Sequence, residues 1–457
     1  MALVTTFASA PLTSFFYPAW YQKKVDGWRR GEIDWDTGKP LDSETPRHSV
    51  HYEKLAAEKI KRFTVYLRLD SMPNLLAFAA LFGGNADKPA PKTHPSKAVS
   101  TSKDTGDASV EEVSPNRPVE AYGLRLLNLT DRGSSVMQVS EIESYTAHDP
   151  VVNTFRTFGR LHNLAVSGEV LVVPENSFAE TLSTHASDSN FLILPWSETG
   201  GMSEQNIIED KSTKNKLAAA SYASFVKSAL EQSVVPVAVL INKNFGGSKN
   251  KDHKRGTKLT RTYSSVSLNS GKEVTAPIAD RSHHIFLPFF GGADDRAALR
   301  LVLQLAENPQ VTATIIHFDL PELTQVTSKL SVHSPTGKAG ETVTVMTTPE
   351  QDAAFFASLR SSLPAEMSSR VVFETVSSTS PVNDVIARAS IEVGQAPKNA
   401  GDLVVLGRNI NRNDVLGRDD GDEIRSANSA DSTLGMLAEK VWEGKLGASV
   451  LVVQAAH

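Results

Sequence analysis

The chain has 457 residues, 40% of them hydrophobic and 22% charged, and carries a net charge of −5. That length exceeds what one hydrophobic core ordinarily needs, so two or three domains are expected, and the near-balanced charge gives no global pull toward nucleic acid. The absence of cysteine excludes disulfides, zinc–thiolate sites, iron–sulfur clusters and cysteine nucleophiles, and it fits a reducing compartment.

Met1 to Trp20 has no charged residue and is interrupted by Pro11 and Pro18; Lys23, Lys24, Arg29 and Arg30 follow. A signal peptide places its basic residues first, and a full membrane span needs about 20 mostly apolar residues. Two readings stay open: the last turns of a membrane span with a basic cytoplasmic flank, or an irregular apolar arm packed on a domain.

Phe63 to Leu69 predicts a strand and Pro73 to Phe82 a helix. Gly83 to Pro118 is dense in Pro, Ser, Lys and Asp without an apolar period, as in an unstructured insert. Strands are predicted at Tyr122–Leu129, Glu169–Val173, Phe191–Pro195 and Val235–Ile241. Helices are predicted around Ser134–Tyr145, Val152–Leu164, Phe178–Ala186 and Ala219–Gln232. Asn242 to Ser267 is a basic, Gly/Ser-rich linker. The pattern then repeats: strands at His284–Phe290, Val311–Phe318, Arg370–Val376, Asp402–Gly407 and Ser449–Gln454 alternate with helices. Those helices open at Asp294–Asp295 and cover Glu350–Leu363, Pro381–Ile391 and Ser432–Trp442. Short apolar runs bounded by glycine favour buried strands, and alternation with helices implies right-handed crossovers and a parallel sheet.

The expected fold is therefore α/β, with two tandem doubly wound parallel five-stranded sheets, each of strand order 3-2-1-4-5. The expected organisation is an N-terminal segment 1–55, which on the membrane reading is the end of a last transmembrane helix plus a juxtamembrane linker, a first α/β domain 56–243 with its insert at 83–118, a basic linker 244–279 and a second domain 280–457.

In open α/β sheets, ligands bind beyond the carboxyl ends of the strands where the strand order reverses. In the second half that crevice would be lined by Gly291, Gly292 and Asp294 on one side and by Gly407 and Arg408 on the other, with Thr433 and Gly435 at the last helix. Glycine admits a close phosphate, a helix N-terminus offers free N–H groups, and Arg408 could add a bidentate contact. Asp294 and Asp295 oppose a phosphate at their own helix, so a phosphate would sit near Arg408 and the Ser432–Gly435 turn, with Asp294 on a ribose hydroxyl. Such a crevice would suit an adenine nucleotide, AMP or ATP. Strand-ending glycines and capping aspartates, however, occur in any such fold.

The first half offers Asp70–Ser71–Met72–Pro73 and Trp196 to Gly201, turns better suited to scaffold or interface. No phosphate-binding loop of the GxxxxGK[ST] kind, GxGxxG or GxSxG is present, and no motif supports a hydrolase. Arg418 to Glu423 lacks calcium-loop spacing. His283 and His284 are adjacent in a strand, so their side chains face opposite ways and do not readily share a metal. The basic linker from Lys249 to Arg261 could touch anionic lipid headgroups.

Ala2 to Trp35 resembles the end of the last membrane helix and the following segment of fungal potassium/proton antiporters. These belong to the monovalent cation:proton antiporter-2 family, which includes the plant cation/proton exchangers. The stretch FFGGADDRAAL from Phe289, the stretch DLVVLGR from Asp402 and the ending from Thr433 to Gln454 resemble the second tail domain of those proteins. The resemblance covers nearly the whole chain apart from the two linker-like stretches. It implies a cytosolic tail of two domains similar to universal stress proteins, attached to an antiporter membrane domain as its partner and regulating potassium/proton exchange without being an enzyme. A homodimer is expected, and nucleic acid is not. Some universal stress proteins bind ATP through a glycine-rich stretch after the fourth strand; Gly407–Arg408 keeps its start, and a polar loop from Asn409 to Asp431 replaces the rest. The alternative is a free-standing nucleotide-binding protein with tandem domains of that kind.

Overall fold

The computed structural model describes residues 59–83, 118–129, 142–198, 200–202, 220–243, 245–246, 281–319, 349–395, 400–409, 433–444 and 446–456. All of them belong to one compact unit, Ala57–His457. The apolar arm, the insert, most of the basic linker, the acidic loop 418–423 and the start of the helix expected from Ser134 lie outside the described residues.

The first half runs β1 (Arg62–Tyr66), α1 (Met72–Gly83), β2 (Glu120–Asn128), α2 (Ile142–His148), α3 (Pro150–Leu161), β3 (Ala165–Val173), α4 (Phe178–Ala186), β4 (Phe191–Pro195), α5 (Ala220–Gln232) and β5 (Val237–Ile241). The second runs β6 (His283–Phe289), α6 (Ala293–Leu305), β7 (Val311–Asp319), α7 (Pro349–Ser362), α8 (Ala365–Ser368), β8 (Val371–Ser377), α9 (Pro381–Glu392), β9 (Leu403–Gly407), α10 (Met436–Glu443) and β10 (Ser449–Gln454). All ten expected strands are present. β1 ends earlier than expected, at Tyr66, because the chain turns at Leu69–Asp70. The last helix begins at Met436 rather than Ser432, because Gly435 caps it with φ of +91°.

The strands form one ten-stranded sheet in the order β3-β2-β1-β4-β5-β10-β9-β6-β7-β8. Each half therefore has the order 3-2-1-4-5, with every contact inside a half parallel. Instead of standing as separate sheets, the halves meet edge to edge: β5 and β10 pair antiparallel, with Val239 opposite Val452 and Ile241 opposite Val450. All residues of both strands are buried. This follows from composition, since VAVLI and SVLVVQ are apolar on both faces and cannot stand as solvent-facing edges.

Both faces of the sheet are covered. One apolar cluster joins alternate residues Val237, Val239, Ile241, Val450 and Val452 to α4, α5, α9 and α10. It runs unbroken from Leu124 in the first half to Phe318 in the second. On the opposite face α1 packs against both α3 and α6. There the Gln304 side chain of α6 accepts the Ile60 N–H at 2.9 Å and donates to the Ile60 carbonyl at 2.8 Å. Phe245, just after β5, stacks on His283 of β6 at 4.6 Å.

Because sheet, core and backbone bonds all cross between the halves, urea unfolding is expected to be a single transition, coincident by tryptophan fluorescence and far-ultraviolet circular dichroism. Gln304→Ala, which strips both Ile60 backbone groups of their partner, should lower stability by about 1–3 kcal/mol. Two separated transitions in the parent chain would show that the halves fold independently.

Candidate functional site

The strand order reverses between β6 and β9, which are paired at Ile285↔Leu403 and Phe286↔Val404. Beyond their carboxyl ends, Gly291, Gly292, Asp294, Gly407, Arg408, Thr433 and Gly435 come together. The expected neighbours are thus assembled in space, and their functional groups are engaged with the chain itself.

Gly291 and Gly292 both have positive φ, +91° and +93°, so the turn out of β6 suits residues without a Cβ. A Cβ on Gly291 would lie 2.2 Å from Asp352 Oδ2, a carboxylate from the first turn of α7. Asp352 is buried. Its Oδ2 accepts the Gly292 N–H at 3.1 Å, and its Oδ1 receives Arg296 Nε at 2.8 Å and Nη2 at 2.6 Å. An aspartate from a distant helix thereby satisfies a free N–H at the start of α6, the position where a phosphate oxygen would bind.

Asp294 accepts the Asn409 N–H at 3.0 Å on one oxygen and the Ala455 N–H at 2.8 Å on the other. Asp295, fully buried, accepts the Phe290 N–H at 2.6 Å and Asn409 Nδ2 at 2.6 Å. A Cβ on Gly407 would strike Asp295 Oδ1 at 2.1 Å, so that glycine exists for the carboxylate's approach. Gly435 makes the corresponding room for the carbonyl of Arg408, which a Cβ would meet at 2.3 Å.

Arg408 is buried, donating Nε to the Thr433 carbonyl at 3.0 Å and Nη1 to Gln454 Oε1. Gln454 in turn donates to the Leu230 carbonyl of α5 at 2.9 Å, tying the crevice to the first half. Burial lowers the Arg408 guanidinium from its ordinary value, against the opposing pull of Asp294 and Glu231. Asp352, Arg296, Asn409 and Gln454 are the members that sequence reading missed. Asp352 is separated from its partners by some 60 residues, and nothing local marks it.

The matching reversal in the first half lies between β1 and β4. Arg68, fully buried, donates Nε to Asp70 Oδ1 at 3.0 Å and Nη2 to Asp70 Oδ2 at 3.1 Å. It also donates to the carbonyls of Gly201 at 3.0 Å and Met202 at 3.2 Å, and its guanidinium lies 4.9 Å from the Tyr222 ring centroid. Burial works against the charge, but Tyr222, Asp70 and Tyr66 outweigh it and hold the pKa above the usual arginine value. Asp70 Oδ2 also takes the Glu198 N–H at 3.2 Å. In this half the strand-end turns are held together by the buried Arg68–Asp70 pair.

His283 and His284 do point to different surroundings: His283 Nδ1 lies 2.8 Å from the Gly401 carbonyl, whereas His284 Nδ1 lies 2.9 Å from Thr312 Oγ1 and its Nε2 3.4 Å from Glu392. Among the described residues no group of three or more His, Asp or Glu is placed to hold a metal ion.

The chain is 24% identical over 219 residues to cation/H(+) antiporter 17 of Arabidopsis thaliana, a match covering 44% of this chain and 22% of that protein. Cation/H(+) antiporter 15 of the same plant matches at 24% over 217 residues with the same coverage. The matched stretch thus spans about a fifth of the length of these relatives. No protein-family model matches the chain. Among solved structures, a universal stress protein from Archaeoglobus fulgidus aligns at 13% identity with a TM-score of 0.37, covering 86% of this chain and 96% of that one. A functionally unknown protein from Pseudomonas aeruginosa aligns at 11% with a TM-score of 0.36, covering 88% and 95%. The α/β fold itself is established by the strand order. No helix among the described residues is long and apolar enough to cross a membrane.

Two outcomes follow from this geometry. Gly291→Ala forces a strained φ and a contact with Asp352, and should cost more than about 2 kcal/mol in urea denaturation; a loss below about 0.5 kcal/mol would show that Gly291 and Asp352 do not pack against each other. Calorimetric titration with AMP, ADP and ATP should give no saturable heat, because the crevice presents carboxylates to an incoming phosphate. Heat that disappears in Arg408→Ala would overturn that expectation.

Proposed function

We propose that this chain is a regulatory region of a cation/proton antiporter, lying on the cytosolic side of the membrane and biasing exchange carried out by a membrane domain of the same polypeptide. The observation that carries this reading is the 24% identity to two plant cation/H(+) antiporters over nearly half of the chain. The apolar arm with its basic flank, Met1 to Arg30, supports attachment to a membrane span. The resemblance of FFGGADDRAAL and DLVVLGR to the tail of fungal potassium/proton antiporters extends the proposal to that group. Homodimerisation and contact of the Lys249–Arg261 linker with anionic lipid belong to the same proposal.

Regulation requires that the tail interact with different energy with two states of the transporter. The test is potassium-driven proton exchange in vesicles, comparing the full-length antiporter with one lacking residues 57–457. The truncated protein should still exchange, with its dependence on cation concentration or pH displaced. Superimposable curves would refute the regulatory role, and absent transport with normal membrane insertion would assign the region to assembly or catalysis instead.

A further inference from the structure

His317 of β7 is a buried titratable side chain that the crevice does not use. It is about 8% exposed and faces the same side of the sheet as Phe289 of β6 and Phe373 of β8. The helix α7 closes over it. The Phe356 ring of α7 lies 5.2 Å from the His317 ring, 5.6 Å from Phe289 and 5.2 Å from Phe373. Phe289 in turn flanks the imidazole at 5.6 Å. Phe356 is therefore the aromatic anchor of α7, with Leu359 buried one turn on, and its floor is an aromatic slot with an imidazole in the middle.

The second anchor of α7 is ionic. Asp352 holds the Gly292 N–H and the Arg296 guanidinium, and the Arg296 guanidinium also lies 5.1 Å from the Phe355 ring centroid. The apolar anchor is compatible with a neutral imidazole and not with an imidazolium, because a charge in that slot loses its hydration and phenyl rings replace little of it. The carboxylates acting on His317 are Asp319, on its own strand, and Asp352, on α7. Asp352 is already committed to Arg296 and Gly292, and Asp319 is exposed to water.

We propose that His317 makes the docking of α7 on the sheet acid-sensitive: protonation of the imidazole releases the helix and, with it, the Asp352 carboxylate from the start of α6. The direction of titration agrees with the geometry. Burial holds the His317 pKa below the ordinary histidine value, with Asp319 and Asp352 opposing only in part. A histidine depressed in the docked state favours docking at pH above its free value, and that preference is lost as pH falls through and below it. Each pKa unit of depression corresponds to about a tenfold change in the docking equilibrium. The device belongs to the chain itself and does not depend on the transporter assignment. Release would uncover the Gly292 N–H and Arg296 together, changing the charge at the α6 terminus without any covalent step.

Hydrogen exchange on the intact chain tests this, with exchange times corrected for the intrinsic pH dependence. Peptides from α7 should lose about tenfold or more of their protection between pH 7.5 and 5.0, whereas peptides from β1 to β5 keep theirs. His317→Phe, which keeps a ring that cannot be protonated, should abolish the loss. His317→Gln, neutral and smaller, serves as a second variant should the phenylalanine fail to fold, and should abolish it as well. Protection of α7 that is independent of pH in the parent chain, or a loss that persists in the neutral variants, would overturn the proposal.

Discussion

The antiparallel pairing of β5 with β10 is the contact on which the rest of the architecture depends. Every other strand pair is parallel, so this single junction turns two five-stranded arrays into one sheet and reverses the direction of the second. Two strands that are apolar on both faces have no stable exposed form. Paired with each other, they remove both edges at once and bring two helix layers into continuity. The outer edge at β3 is managed separately: Thr146 Oγ1 accepts the Val170 N–H, and Arg156 donates to the Gly168 carbonyl. Side chains there occupy backbone groups that could otherwise recruit another strand.

Reversal also decides where function can lie. The carboxyl ends of β1 and β4 point toward one margin of the sheet and those of β6 and β9 toward the other, so the two strand-end crevices cannot act on one ligand. In each, side chains of the chain itself engage the strand-end groups, by a different device. In the first half an arginine and an aspartate neutralise each other in the core. Arg68 is affordable there only because Asp70, two carbonyls and the Tyr222 ring replace its lost water. In the second half three aspartates take up backbone N–H groups, at Gly292, at Phe290, and at Asn409 and Ala455. Free amides at the start of a helix attract an anion from wherever one is available. Here the anions are covalently part of the fold.

The strands were legible because parallel strands buried on both faces read as uninterrupted apolar runs, and glycine or an acidic turn closed most of them. FLILP and SVLVVQ are found as strands with the bounds their composition implies. The parallel arrangement within each half followed from the alternation of strands and helices, which does not by itself fix the order 3-2-1-4-5. The junction was not legible: nothing in VAVLI or SVLVVQ distinguishes an edge awaiting a neighbour from a strand inside a sheet. The crevice was half legible. Its glycines and Asp294 were visible as local turn chemistry, and the conflict between those acids and a phosphate could be stated from the residues alone. Asp352 and Gln454 act across 60 and 46 positions of the chain. Sequence spacing carries no signal for such contacts.

The regulatory role proposed above requires some part of the chain whose energy differs between two conditions. The ten-stranded sheet is a poor candidate, since its strands share one core and moving any of them disrupts contacts on both faces. Helix α7 is different. Among the described residues its attachment includes the aromatic contact of Phe356 over His317, the buried Leu359 one turn on, and the Asp352 carboxylate on the α6 terminus. Aromatic burial is indifferent to pH, but burial of an imidazole is not, and the carboxylate partner of α6 is carried by the helix that the imidazole supports. A change at one atom of β7 is therefore felt at the start of α6 through α7, without any rearrangement of the sheet. That coupling is short, uses groups already in contact, and places the part of the molecule able to respond on the crevice side where a ligand would have been sought.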